Sequence, residues 1–170
     1  MKILTKIRFI IILSLFFIIP CCLQEPEYPV IPYIEYEDFI KTPDIQGGID
    51  DTGILKISFT DGDGDIGLAQ GDTTAPFEGE YYYNFFIKYF ERQNGVFKEI
   101  VLSFPHNARI PVISPKGEDK AIKGEIIIEN VFIKNSSSNY DTIRFQAYIV
   151  DRALHHSNTI TTPDIIVKKH

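Results

Sequence analysis

Residues 55–67 read Leu-Lys-Ile-Ser-Phe-Thr-Asp-Gly-Asp-Gly-Asp-Ile-Gly, and the stretch changes character halfway. In its first half Leu55, Ile57 and Phe59 alternate with Lys56, Ser58 and Thr60. Successive side chains of a strand point to opposite faces, so this pattern is a strand with one face in a core and one in water. In the second half three aspartates alternate with small residues, which is the composition of a turn that gathers carboxylates.

The same period recurs along the chain. Tyr81 to Phe90 places Tyr81, Tyr83, Phe85, Ile87 and Tyr89 on one face, and Tyr82, Asn84, Phe86, Lys88 and Phe90 on the other. Gln93-Asn94-Gly95-Val96 follows, and Asn-Gly between two such runs signals a hairpin whose returning strand is Val96 to Leu102. Ile122 to Ile133 alternates with a slip of parity near Glu129-Asn130, as a β-bulge produces. Ile143, Phe145, Ala147 and Ile149 alternate with Thr142, Arg144 and Gln146. Tyr33 to Phe39 reads as a first strand, interrupted soon after by Pro43 and Gly47-Gly48. A last strand lies near Asp164 to Lys168, and Pro163 starts it late or puts it at an edge. No segment after the N-terminal apolar run shows a convincing 3.6-residue period, and no internal repeat is visible. Six to eight strands with turns between them make residues 33–170 an all-β domain, a single β-sandwich.

The closing segment carries a resemblance. Tyr148-Ile149-Val150-Asp151, followed by Ser157-Asn158-Thr159, resembles the end of bacterial immunoglobulin-like domains, where the penultimate strand runs into an aspartate before a turn and the last strand. Arg152-Ala153-Leu154-His155-His156 stands where that pattern has a shorter turn with glycine. The resemblance implies an immunoglobulin-like sandwich and an extracellular binding or scaffolding role.

The N-terminus gives an address. Met1 to Arg8 is basic, Phe9 to Ile19 is apolar apart from Ser14, and Pro20, Cys21 and Cys22 follow. Eleven residues make a helix of about 16 Å, too short for a hydrocarbon core of roughly 30 Å. A basic head on a short apolar run is the layout of a secretory signal, here residues 1–21. Export peptidases cut after a small residue, which Pro20 is not, so Cys22 is the expected site of lipid attachment and Cys21 the alternative. The chain has no other cysteine, so no disulfide is expected within the domain. The pattern resembles lipoproteins of the Bacteroidota, whose cleavage motif is often degenerate. That resemblance implies a protein exported and lipid-anchored in the cell envelope, in the outer membrane, with Glu25 and Glu27 a loose match to that group's surface-export signal. Residues 22–32, with Pro26, Pro29 and Pro32, read as a short Pro-rich tether. Asp72-Thr73-Thr74 and Asp141-Thr142-Ile143 fit the Asp-Thr pattern of O-glycosylation in the same group, which implies Thr73 and Thr142 as acceptors.

The whole chain has 170 residues and a net charge of −6, with nine Tyr, thirteen Phe and no Trp. Lys2, Lys6 and Arg8 all lie in the signal segment, so the remainder is three charges more negative still. Such acidity argues against nucleic acid as a partner and against electrostatic adsorption to anionic lipid. The membrane is therefore reached through the covalent lipid, with a protein or glycan as the further partner.

Thr60-Asp61-Gly62-Asp63-Gly64-Asp65-Ile66-Gly67 is where chemistry concentrates. Carboxylates at alternate positions separated by glycine can curl around a hard cation, and calcium takes roughly six to eight oxygens at about 2.3–2.6 Å. Asp61, Asp63 and Asp65 match the first, third and fifth positions of an EF-hand loop. Ile66 and Asp72 replace the glycine and glutamate required later, and the flank is a strand, so an EF-hand is rejected. A calcium loop at one end of a sandwich remains, with Asp151 as a ligand from across the domain and Asp72 as a weaker candidate. Asp-Gly repeats are equally ordinary turn material, and a plain acidic turn is the alternative. His155-His156 point to opposite faces on an extended backbone and read as a solvated loop pair, and His106 has no recognisable catalytic partner. No G-x-S-x-G, H-E-x-x-H or phosphate-binding loop occurs. The expectation is a non-catalytic, lipid-anchored envelope protein with a binding or scaffolding role, stabilised by calcium. The alternative is a glycan-binding or glycan-processing accessory module using the Tyr81–Phe86 aromatic face.

Overall fold

The alternation of residues 55–59 is realised in the computed structural model as the central strand of a sheet. The structure describes residues 27–45, 48–113 and 120–169; the expected signal segment, residues 1–21, and both cysteines, Cys21 and Cys22, lie outside the described residues. In chain order the strands are β1 (Tyr33–Pro43), β2 (Asp50–Asp61), β3 (Phe85–Gln93), β4 (Val96–Glu99), β5 (Ile122–Phe132), β6 (Thr142–Ile149), β7 (Ile160–Thr161) and β8 (Ile165–Ile166). One antiparallel sheet has the order β1-β2-β5, the other β4-β3-β6-β7, with β8 also on β6. The two antiparallel sheets pack as the layers of an all-β sandwich, with β7 and β8 sharing the place beside β6.

The two inner faces supply the core. Leu55, Ile57 and Phe59 of β2 are buried with Ile34 and Ile126 on one side, and with Phe85, Ile87, Tyr89, Ile143, Phe145 and Ile149 on the other. Phe145 sits between the layers: its ring is 5.5 Å from Phe39, 5.7 Å from Tyr89 and 5.9 Å from His106.

Local chemistry explains the irregular points. Asn94 and Gly95 take φ of 53° and 81°, the left-handed pair of a type I′ turn that closes the β3–β4 hairpin. The parity slip in β5 is a bulge. Gly53 faces Val131 and Leu55 faces Ile128, so Glu129 and Asn130 together oppose Ile54, and Asn130 has φ 58°.

Strand boundaries differ from the sequence reading: β1 runs on to Pro43, β7 was not expected, β8 is confined to Ile165–Ile166, and two strands are shorter than read. Tyr81 to Asn84 are not in the strand, since Gly79–Tyr82 is a 3-10 turn. The reason is the partner: Phe85 already faces Ile149, the last residue of β6, and beyond it only the Val150 N–H reaches across, to the Asn84 carbonyl, so Tyr81 to Tyr83 have no ladder to join. The returning strand likewise ends at Glu99, with one further bond from the Ile100 N–H to the Tyr89 carbonyl.

Replacing Phe145 by alanine removes an aromatic ring from a site the core cannot collapse around, and is expected to cost about 3–5 kcal/mol. Phe132→Ala, at a position 57% exposed, should change stability by less than about 0.5 kcal/mol. Urea unfolding of the two variants checks both; equal losses would contradict the assigned strand faces.

Candidate metal centre

Strand parity delivers the carboxylates. Asp61 is the next inward position of β2 after Leu55, Ile57 and Phe59, and it is fully buried. Asp151 is the next inward position after Ile143, Phe145, Ala147 and Ile149 of β6, and it is 2% exposed. The turn after β2 then folds back, with Gly64 at φ 70°, a conformation that a Cβ would strain. It brings Asp63 and Asp65 to Asp61, with one carboxylate oxygen from each within 4.8 Å of the others.

The electrostatics of this group are unfavourable as it stands. Unit charges at that spacing repel by about 3 kcal/mol per pair at an effective dielectric of about 20, before screening by solvent. Burial, and then the charges of Asp63 and Asp65, push the Asp61 carboxyl up to about 7. Burial, and then Asp151 and Asp63, raise Asp65 as well. Asp61 Oδ2 accepts the Ile66 N–H at 3.3 Å and Asp65 Oδ2 accepts the Ala153 N–H at 3.1 Å. The other oxygen of each residue, and Oδ1 of Asp63, is buried with no hydrogen-bond partner.

A second buried carboxylate shows what this chain does with an anion it means to satisfy alone. Glu91 accepts from the Tyr89 hydroxyl (3.2 Å), Asn135 Nδ2 (2.8 Å), Gln93 Nε2 (3.3 Å) and the Ser138 hydroxyl (2.7 Å). The three aspartates have no comparable donor set. Three convergent carboxylates with unsatisfied oxygens are an all-oxygen, anionic donor set of the kind a hard cation takes.

The other two expected ligands have partners of their own. Asp151 is close enough to raise Asp61 and Asp65, but its own oxygens face His155: Oδ1 accepts the backbone N–H at 2.7 Å, and Oδ2 lies 2.9 Å from Nδ1. Asp72 is paired with Arg152 at 2.5 Å and accepts the Ala69 N–H, which lowers its pKa, and it is not one of the grouped carboxylates. Two arginines to which the sequence reading gave no role hold the long connection between β2 and β3. Arg152 also reaches the Gly67 carbonyl and covers the Phe77 ring, and Arg109 donates to the carbonyls of Tyr82, Ala69 and Asp72. Arg152 follows Asp151 directly, which was a usable signal; nothing in the sequence around Arg109 marks it.

The aromatic run is divided. Phe86 stacks on Tyr148 at 4.8 Å, and Tyr148 on His156 at 5.5 Å, so these rings spend their faces on one another. Tyr82 is exposed, with Arg109 over one face. Thr73 is exposed in the long connection; Thr142 is half-buried at the start of β6, its hydroxyl donating to Asp141. His106 is half-buried beside Phe145, and burial lowers its pKa.

Asp61 and Asp65 titrate higher in the folded than in the unfolded chain. Their contribution to stability is thus fully present below about pH 4 and is lost as pH rises through about 7 for Asp61. His106 acts in the opposite sense, losing stability as pH falls below about 6.5. The difference between wild type and Asp61→Asn isolates the aspartate. In chelator, the variant should melt several degrees higher than wild type at pH 8, and the gap should close towards pH 4. A variant that melts lower at pH 8 would show that the cluster is not strained.

Among the described residues no helix is long and apolar enough to cross a membrane. No family model matches this chain, and neither does any curated protein or solved structure.

Proposed function

We propose that this is a non-catalytic protein of the bacterial cell envelope, exported and anchored in the outer membrane by lipid on Cys22, whose sandwich is stabilised at one end by calcium. The observation that carries the calcium reading is the fully buried Asp61, with an oxygen that has no hydrogen-bond partner and two further carboxylates converging on it. A divalent cation cancels the mutual repulsion and fills the orphaned oxygens, and the glycines let the loop wrap it. Asp61, Asp63 and Asp65 are the inner ligands. Asp151 joins them through lone pairs that its bonds to His155 leave open. Asp72 serves as the partner of Arg152 and takes no part.

The role is binding or scaffolding. A calcium-braced sandwich presenting loops is suited to holding a protein partner at the envelope, and the acidity of the chain leaves nucleic acid aside. The glycan alternative needs flat, free aromatic faces, and the faces of Phe86 and Tyr148 are turned to each other. The anchor reading rests on the basic, apolar and cysteine-bearing order of residues 1–22.

Two measurements test these readings. Calcium at millimolar concentration should raise the melting temperature of chelator-stripped protein by several degrees, and Asp61→Asn should abolish the rise. An unmoved wild type would remove calcium from the account. Labelling with a palmitate analogue in the native host should be lost in Cys22→Ala and kept in Cys21→Ala. Label retained in both would refute anchoring through these cysteines.

A further inference from the structure

The chain enters the sandwich across the acidic loop. Residues 27–32 have no regular secondary structure, yet Pro32 is buried and the Pro29 carbonyl accepts the Gly62 N–H at 2.8 Å. Gly62 stands between Asp61 and Asp63. A Cβ on it would lie 2.2 Å from the Tyr28 carbonyl oxygen and 2.7 Å from the Pro29 carbonyl carbon, so backbone rests directly on backbone. A second clasp follows. Asn158 donates to the Ile34 carbonyl and accepts the Ile34 N–H, both at 2.8 Å. Asn158 belongs to the turn that starts beside Asp151. The incoming chain is thus held by the two loops that carry the four aspartates.

Resting on the calcium reading above, we propose that cation occupancy of the Asp61–Asp65 loop controls the docking of the protein's own tether, residues 27–32, on that end of the sandwich. The carboxylates on either side of Gly62 are ligands, so an ion that draws both inward fixes the peptide planes flanking Gly62 and aims its N–H at Pro29. With the ion gone, repulsion among the three carboxylates opens the loop, and both the hydrogen bond and the close approach at Gly62 are lost. The coupling is reciprocal: whatever the ion contributes to tether docking, the docked tether contributes to ion affinity. It also has reach. Docked, five residue steps separate Cys22 from Glu27, at most about 18 Å; released, eleven steps separate Cys22 from Tyr33, at most about 40 Å. The cation therefore sets how far the domain stands from its point of attachment.

The test uses the full-length protein in detergent, stripped with chelator and titrated with calcium by calorimetry. A variant carrying Tyr28→Gly, Pro29→Ser, Val30→Gly and Ile31→Ser keeps every aspartate but loses the tether's fixed shape. It should bind calcium at least about fivefold more weakly than wild type. Saturating calcium should slow cleavage after Glu27 by a glutamate-specific protease at least about fivefold in wild type, and Gly62→Val should abolish that protection. Unchanged calcium affinity in the tether variant, or cleavage after Glu27 indifferent to calcium, overturns the clasp and leaves the metal site standing. Failure of wild type to bind calcium at all overturns both.

Discussion

A period-two strand buries every second residue, whatever that residue's chemistry, and in this chain the rule extends one step past the apolar run. β2 continues from Phe59 to Asp61, and beyond the end of β6 at Ile149 the chain keeps the same parity through Val150 to Asp151. The two strands belong to opposite sheets and point to the same end of the sandwich. The alternation that builds the core therefore also drives two carboxylates beneath its edge. Much of the architecture at that end follows from this placement. The N–H groups of Ile66, Ala153 and His155 turn towards the acids, and the arginines at 109 and 152 brace the loop that follows.

The opposite treatment of Glu91 makes the acidic end meaningful. Burying an anion is costly unless hydrogen bonds replace the water it loses. Around Glu91 four neutral donors do so, and Lys169 pins the loop that provides two of them through the carbonyls of Asn135 and Ser138. One chain thus contains both a finished buried carboxylate and an unfinished cluster. The unfinished one sits where a glycine-bearing loop meets the entering polypeptide.

Alternation made the sandwich legible, since it survives in single strands without knowledge of their neighbours. Leu55 to Phe59 and Ile143 to Ile149 could be read directly, and even the bulge at Glu129-Asn130 left its mark as a change of parity. Strand ends were less legible, because they depend on where a partner stops. Nothing in Tyr81 to Asn84 says that β6 has already ended opposite Phe85. The site divides the same way. The three loop aspartates announced themselves by spacing, and the burial of Asp151 follows from parity. The diversion of Asp72 to Arg152 joins residues eighty positions apart and has no local trace. The tether looked like a free spacer by composition; its seat on Gly62 is a backbone contact, to which composition is blind.

One edge of the first sheet has a consequence for life at high density. β5 pairs only with β2, so among the described strands its outer side is unpaired along eleven residues that include exposed Ile127 and Phe132. A straight edge of that kind recruits a strand from a neighbouring molecule. The kink at Asn130 twists the edge out of line, and Lys123, Glu125 and Glu129 alternate with its apolar residues. A bulge and charged side chains along an open edge are the features that blunt such an edge against pairing with another chain.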